Sequence, residues 1–275
     1  YQPNIALISG IAWDHINVFP TYDNYVEQFE IFIGKITNGG ILVYNEDDAE
    51  VKRVSEAATN PIRKLPYSTP AYTVSDGVTL LETPEGPMPI EVFGAHNLNN
   101  LAGAKWICQN MGVDEADFYE AIASFKGASK RLEKIAEGKG RVAYKDFAHS
   151  PSKVSATTKA VKEQYPNRTL VACLELHTYS SLNAEFLKEY EGALEYADEA
   201  VVFYSPDAVK IKQLEEVTYE QIAKAFNRED LIIYTNPAEF KHYLFNRNLD
   251  NSALLLMSSG NYGGLNFDEV KQLIE

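Results

Sequence analysis

The sequence predicts an α/β fold, with a first domain built on a mostly parallel sheet plus antiparallel strands and a second, Rossmann-like, doubly wound domain. Strand-like and helix-like patterns alternate almost throughout the chain, as they do in parallel sheets covered by helices. The chain has 275 residues, of which 45% are hydrophobic and 23% charged, so two domains can each bury a core.

The first part of the chain predicts two strands, each followed by a helix. In order, the predicted elements are a strand over residues 4–10, a helix over 21–36, a strand over 41–44 and a helix ending near 60. Asn45 and Asp48 are expected to cap the second helix, and Pro61 prevents its continuation.

Residues 66–93 have a different pattern, with short β-prone pieces separated by turn signals. The turn signals are Asp76-Gly77 and residues 85–87, which favour tight connections. We therefore expect antiparallel strands appended to the parallel sheet. Helical patterns return over residues 97–112 and again from Asp114.

The boundary between the two domains is expected within residues 125–140, which are rich in lysine and glycine and have no long apolar face. The predicted domains are residues 1–130 and 131–275. Five strand–helix units are predicted beyond the boundary. The strands are residues 141–145, 169–174, 199–204, 231–234 and 253–258, and the helices are 151–165, 183–196, 218–226, 237–245 and a last one from Phe267.

The amino-acid composition restricts the classes of binding partner and the cellular compartment that are expected for this protein. The net charge of -14 argues against a general nucleic-acid-binding surface, which needs clustered Lys and Arg. Cys108 and Cys173 each lie in an apolar run, which favours reduced, structural thiols over a disulfide. No apolar stretch reaches the roughly 20 residues of a membrane span, so a cytoplasmic location is expected. The oligomeric state is left open.

Two motifs in the first domain are candidates for ligand contacts. Trp13-Asp14-His15 follows the first strand, where a histidine beside an acid can bind a metal or a phosphate; alternatively, Asp14 caps a helix. His96 and Asn97, with Asn100 three residues further on, stand at the start of a helix and could offer a ring and two amides to a heterocycle. The alternative is that Asn97 only caps that helix.

In the second domain, ligands are expected beyond the carboxyl ends of the parallel strands. That rule selects three loops, residues 146–150, 175–182 and 258–265. Ser150 and Pro151 are explained as a helix start, whereas Asp146 and His149 favour a ligand contact. The candidate contacts in the other two loops are His177, Tyr179, Ser180, Ser259, Asn261 and Tyr262.

Several well-known motifs are missing from these 275 residues. The sequence contains no Gly-x-x-x-x-Gly-Lys-Ser/Thr loop, no His-Glu-x-x-His, no Gly-x-Ser-x-Gly and no pair of cysteines at zinc spacing. The chain therefore shows no loop of its own for gripping a triphosphate.

In their order along the chain, the motifs resemble those of the Mur ligase family, which joins amino acids or peptides to UDP-N-acetylmuramate. The resemblance covers nearly the whole chain. It rests on Asp14-His15, on Gly94 with His96, Asn97 and Asn100, on Arg131, and on the segment from Asp146 to Pro151. The resemblance implies the end of a central ATP-binding domain, followed by a complete C-terminal domain that binds the amino acid or peptide.

The resemblance also implies roles for these residues. ATP and Mg²⁺ would be required, with His15 helping to hold the metal and His96, Asn97 and Asn100 forming the adenine pocket. Arg131 and Asp146 would reach ATP from the second domain, with His149 beside them. Residues 125–140 would be a hinge. The family's UDP-binding domain, phosphate loop and magnesium-binding glutamate would precede Tyr1, so the chain alone is expected to be inactive.

Within the family, the ending over residues 256–264 is similar to that of ligases that attach the tripeptide L-alanyl-γ-D-glutamyl-meso-diaminopimelate to UDP-N-acetylmuramate. Ser150 departs from this pattern, because a histidine is usual there. The alternatives are a ligase that adds L-alanine in peptidoglycan synthesis, a folate-type polyglutamate ligase, and a non-catalytic module that binds nucleotide or peptide.

Overall fold

The computed structural model describes residues 1–75, 77–215 and 217–275. The chain forms two compact units, Tyr1–Phe125 and Lys126–Glu275. In the described part of the chain, no helix is both long enough and apolar enough to cross a membrane.

The described residues of the first unit form two separate three-stranded sheets and four helices. The parallel sheet has the order β1-β2-β3 and the antiparallel sheet the order β4-β5-β6. The elements are β1 (Ile5–Ile8), α1 (Tyr22–Gly34), β2 (Ile41–Asn45), α2 (Ala49–Ala57), β3 (Arg63–Tyr67), β4 (Tyr72–Ser75), β5 (Val78–Thr83), β6 (Gly86–Ile90), α3 (Ala95–Asn110) and α4 (Glu115–Ala123).

Two expectations for this unit are corrected. Strand β3 was not predicted, because Arg63, Lys64 and Pro66 give it a polar pattern typical of an edge strand. The antiparallel strands are not added to the parallel sheet. They form their own sheet because Leu81 and Ile90 bury their side chains in a separate small core with residues of α3 and α4.

The helix starts in this unit follow local capping chemistry. The Thr21 hydroxyl accepts from the Asn24 N–H at the start of α1, and Asp48 accepts from two backbone N–H groups at the start of α2. Asn45 is not a cap, contrary to expectation. Its amide instead donates to the Ser9 carbonyl at 3.0 Å. Of the predicted Asp76-Gly77 turn, Asp76 lies outside the described residues.

In the part of the second unit that the structure describes, a six-stranded sheet is flanked by helices, and its strand order is β11-β10-β9-β12-β8-β7. All neighbouring strands are parallel except β7, which pairs antiparallel with β8. The elements are β7 (Glu133–Gly138), β8 (Arg141–Asp146), α5 (Pro151–Gln164), β9 (Thr169–Leu176), β10 (Glu199–Tyr204), α6 (Pro206–Ile211), α7 (Tyr219–Phe226), β11 (Ile232–Tyr234), α8 (Pro237–Asn246), β12 (Ser252–Met257) and α9 (Phe267–Ile274).

The predicted α/β class is confirmed, and the core of the second unit lies on its central strands. Every residue of β12 is buried, as is nearly all of β9, which explains their continuous apolar sequences. Ser150 is the N-cap of α5 and Pro151 stands in its first turn, as expected.

One local prediction for the second unit is wrong, and two elements were not predicted. Residues 183–196 do not form an α-helix: the segment has turns and the short 3₁₀ helix Leu187–Tyr190, and Gly192 adopts a left-handed φ of 71°, which interrupts a right-handed helix. Strand β7 was not predicted, because its polar, exposed pattern is that of a sheet edge. Helix α6 was missed because it is short.

Candidate functional site

The loops singled out in the second unit lie at one edge of its sheet, beyond β8, β9 and β12. Strand β12 pairs with both β8 and β9, so the three strands are adjacent and their carboxyl ends meet. The Ser258 N–H, just after β12, donates to the Asp146 carbonyl at 2.9 Å. The structure therefore brings together the loops that follow Asp146, Glu175 and Met257.

Asp146 is 6% exposed, and each oxygen of its carboxylate accepts a hydrogen bond from a backbone N–H. Oδ2 accepts from the Leu132 N–H and Oδ1 from the Ala148 N–H, both at 2.6 Å. Burial raises the pKa of Asp146, while these two N–H donors and the nearby Arg131 and His149 act in the opposite direction. The side chain therefore ties the segment before β7 to the end of β8.

Arg131 is an exposed cation at this edge. Its guanidinium carbon lies 5.5 Å from the centre of the Phe147 ring, within cation–π range. The residues on either side, Lys130 and Leu132, have positive φ values of 57° and 42°. The Phe147 N–H donates to the Lys130 carbonyl at 2.8 Å, so this turn is folded against the end of β8. An arginine held in this way can bind an anionic group.

The His149 side chain does not lie on the surface of the second unit. It is buried, its Nδ1 is 2.8 Å from the Phe147 carbonyl oxygen, and its ring meets the Phe147 ring edge-on at 5.2 Å. Its own carbonyl accepts a hydrogen bond from the Tyr190 hydroxyl. These contacts make it a residue that shapes the loop after β8.

Glu175 is the centre of the other two loops, and sequence reasoning missed it. It is 3% exposed, and its carboxylate accepts from the Ser258 hydroxyl and, at 2.8 Å, from the Tyr262 N–H. His177 Nδ1 lies 3.7 Å from its Oε1. The signal that could have found Glu175 was its position as the only charged residue in the apolar strand β9.

The six residues predicted in these loops have different environments. Tyr179 and Asn261 are exposed, and His177 and Ser259 are partly exposed. Ser180 is buried in a 3₁₀ turn. Tyr262 is also buried: its ring stacks on Phe240, and its hydroxyl lies within hydrogen-bond distance of the Cys173 and Met257 carbonyls. Ser180 and Tyr262 therefore support the loops from inside the protein.

In the first unit, the Trp13-Asp14-His15 loop exposes its histidine. Asp14 is buried and its Oδ1 accepts from the His15 N–H at 2.7 Å, while His15 has a left-handed φ of 55°. The cap of α1 is Thr21, so the alternative that Asp14 caps this helix is wrong.

The described residues do not fit a magnesium site by themselves. Within residues 1–75, 77–215 and 217–275, no group of three or more His, Cys, Asp and Glu side chains could hold a metal ion. His15 offers a single imidazole, whereas Mg²⁺ prefers oxygen ligands in an octahedral arrangement. We assign no chemical step to a metal on these residues.

The start of α3 presents the histidine and amides of the first unit. Helix α3 begins at Ala95 with Gly94 as its N-cap, so the alternative that Asn97 caps it is wrong. His96 and Asn97 are half-buried and Asn100 is exposed. The Asn97 side chain donates to the Phe93 carbonyl at 3.0 Å.

Asn99, on the buried side of the same turn, was also missed by sequence reasoning. Its amide donates to Asn45 Oδ1 at 3.0 Å and to the Thr69 hydroxyl at 3.2 Å. These bonds tie the start of α3 to the carboxyl ends of β2 and β3. Residues 97, 99 and 100 are all asparagines, so the sequence does not show which of them is buried. Only the structure distinguishes the buried Asn99, which supports the loop, from the more exposed asparagines, which could contact a ligand.

Comparison with protein families matches two consecutive domains. Residues 1–108 match the Mur ligase middle domain, and residues 130–260 match the Mur ligase, glutamate ligase domain. A UDP-N-acetylmuramate–L-alanine ligase from Caldicellulosiruptor bescii is 29% identical over 214 residues, which cover 74% of this chain and 47% of the relative. The chain thus spans about half the length of such relatives.

Solved structures share the fold. A murein peptide ligase from Psychrobacter arcticus superposes with a TM-score of 0.63 at 17% identity, covering 100% of this chain and 58% of that protein. A MurF ligase from Thermotoga maritima, solved in complex with ADP, has a TM-score of 0.71 at 17% identity and covers 99% of this chain and 62% of that one. Similarity at this level of identity concerns the fold alone.

Proposed function

Because the chain consists of middle and C-terminal domains of the Mur ligase family, we propose that it is the nucleotide- and acceptor-handling part of an ATP-dependent amide ligase of peptidoglycan metabolism. The observation that carries this proposal is the edge beyond β8, β9 and β12. There an exposed arginine, braced by the buried Asp146, lies in the same unit as two polar loops. An anion contact and a polar acceptor surface are what a ligase of this type needs.

The proposed reaction has two steps. A carboxylate of UDP-N-acetylmuramate attacks the γ-phosphorus of ATP, giving an acyl phosphate and ADP. The amine of the acceptor then attacks the acyl carbon, forming the amide bond and releasing inorganic phosphate and a proton. The protein's contribution to such a transfer is mainly positioning and neutralisation of negative charge.

Roles follow for the residues whose surroundings permit them. We propose that His96, Asn97 and Asn100 contact the adenine and that Arg131 contacts the phosphates, while Asp146 and His149 hold the turn that carries Arg131. For the acceptor we propose contacts with His177, Tyr179, Ser259 and Asn261. The role of His15 beside the nucleotide stays a prediction.

Two acceptors are proposed, each supported by a different observation. The ending over residues 256–264 favours the tripeptide L-alanyl-γ-D-glutamyl-meso-diaminopimelate, which would place the protein in peptidoglycan recycling. The curated relatives are named as L-alanine ligases, which favours free L-alanine and peptidoglycan synthesis. Steady-state rates with the two acceptors in a protein containing all ligase domains decide between them.

Nucleotide binding by residues 1–275 tests the proposal directly. Titration with a fluorescent ATP analogue should show weak, saturable binding, and Arg131→Ala should weaken it by about tenfold, equivalent to ~1.4 kcal/mol. Arg141→Ala is the matched control, because Arg141 lies at the opposite end of β8 and pairs with Asp250. If Arg131→Ala and Arg141→Ala bind the analogue equally well, the proposed phosphate contact is wrong.

The same chain should be folded but unable to form the amide bond. The acyl phosphate step needs a cradle around the β and γ phosphates, and the sequence contains no Gly-x-x-x-x-Gly-Lys-Ser/Thr loop. The assay is phosphate release in the presence of ATP, magnesium, UDP-N-acetylmuramate and either acceptor. Turnover at roughly 1 per second or faster, an ordinary enzyme rate, would refute this expectation.

A further inference from the structure

A buried carboxylate joins the loops after β9 and β12. Glu175 is the penultimate residue of β9, and its Oε2 accepts from the Ser258 hydroxyl and from the Tyr262 N–H. Removing a carboxylate from water is costly unless donors replace the lost solvent. An apolar side chain at position 175 would be enough to pack the core. The presence of a carboxylate there therefore indicates a role beyond packing.

The second oxygen of this carboxylate faces His177. Nδ1 of the imidazole lies 3.7 Å from Oε1, and the backbone of Gly260 packs against the same side of the ring. A Cβ added to Gly260 would lie 2.9 Å from Glu175 Oε2 and 3.0 Å from His177 Cγ. Nδ1 is thus the ring nitrogen that faces Glu175 and Gly260, while 42% of the His177 side chain is exposed.

The loop after β12 depends on the same carboxylate for its shape. Tyr262 has a left-handed φ of 52°, a conformation that costs a non-glycine residue on the order of 1 kcal/mol. Its N–H bond to Glu175 supports that conformation, and the Gly260 N–H donates to the Ser258 hydroxyl at 2.6 Å. Next to them, Ser259 Oγ is buried and has no hydrogen-bond partner among the described residues.

We propose that Glu175 is a positioning residue of the acceptor site. Its carboxylate holds the His177 ring and the turn at residues 258–262 in one arrangement, in which His177 Nε2 binds the carboxylate of an amino acid or short peptide. This inference rests on the proposed ligase function, since it identifies the acceptor side of that site. Glu175 touches no substrate itself.

Two substitutions separate the contacts of Glu175. Glu175→Gln keeps one oxygen that can accept from Ser258 and Tyr262 but replaces the oxygen facing His177 with an amide nitrogen. Glu175→Ala removes both contacts. The matched control is Glu199→Gln, which alters another partly buried carboxylate of the same sheet, at the start of β10, where it pairs with Arg247.

Two measurements on residues 1–275 test the proposal. Amide hydrogen exchange without ligand should show faster exchange at Tyr262 by about tenfold in Glu175→Ala, and by about threefold or less in Glu175→Gln, because the exchange rate follows local opening. Titration calorimetry with the tripeptide and with L-alanine should show affinity reduced by about tenfold or more in both variants. Binding of the ATP analogue should be unchanged in both, and acceptor binding should be unchanged in Glu199→Gln.

The outcomes distinguish this inference from the function on which it rests. If the wild-type chain binds an acceptor and Glu175→Gln binds it equally well, the positioning role is overturned while the proposed function stands. Loss of ATP-analogue binding in parallel with acceptor binding would also overturn it, since Glu175 would then be only structural. If the wild-type chain binds neither acceptor, the proposed acceptor function fails and this inference fails with it.

Discussion

Replacing Asp146 with alanine should destabilise the second unit far more than the loss of one surface charge would. The carboxylate is 6% exposed and accepts from the N–H groups of Leu132 and Ala148, both at 2.6 Å. Alanine leaves both donors without that acceptor in a buried place. An unsatisfied buried donor costs ~1–3 kcal/mol, so the expected loss is about 3 kcal/mol or more.

The measurement is thermal and urea unfolding of residues 1–275, in which the transition of the second unit is monitored. For a unit of this size, about 3 kcal/mol lowers Tm by roughly 6–12 °C. Asp250→Ala is the control, because that carboxylate is 68% exposed in its pair with Arg141 and should matter by about 0.5 kcal/mol or less.

In Asp146→Ala the turn that carries Arg131 should also become more mobile, because the Leu132 N–H loses its hydrogen bond to the Asp146 side chain at the end of β8. Binding of the ATP analogue should therefore weaken in Asp146→Ala even at temperatures where the protein is fully folded. Equal stability of the Asp146 and Asp250 variants would show that the two short bonds do not hold this turn. In that case Asp146 would be free for direct contact with a ligand.

Two further predictions follow from the second unit. Donation from Arg247 holds the pKa of Glu199 below its usual range, so this pair stabilises the fold above the ordinary glutamate pKa and loses that effect as pH falls through the lower folded value. The difference in Tm between wild type and Glu199→Gln should therefore be largest near neutral pH and shrink towards pH ~3; a difference independent of pH would contradict this. Gly263→Ala should cost ~2–4 kcal/mol by urea unfolding, because its Cβ would lie 2.5 Å from Pro237 Cγ and its φ is 68°. Gly264→Ala is the control, because Gly264 has a φ of 100° but open space where a Cβ would lie, so this variant introduces backbone strain alone. An equal loss of unfolding free energy in both variants would refute the steric overlap with Pro237.

The periodic elements of this protein could be predicted from the sequence because their causes are local. Apolar runs produced the strands at Ile41–Asn45 and Ser252–Met257, and the capping residues Thr21 and Ser150 mark the helix starts that the structure shows. The failures occurred where a distant partner decides. Strands β3 and β7 have polar sequences, and each is a strand only because a neighbouring edge accepts its hydrogen bonds.

By itself, the sequence determined which loops were worth attention, since the carboxyl ends of parallel strands meet at one edge whatever the strand order. Only the tertiary structure decided what the side chains in those loops do. Insertion of β12 between β8 and β9 places Ser258 beside both Asp146 and Glu175. A carboxylate buried among such donors becomes a brace, whereas an exposed arginine or histidine remains free to meet a ligand, and burial is a property of the packed fold.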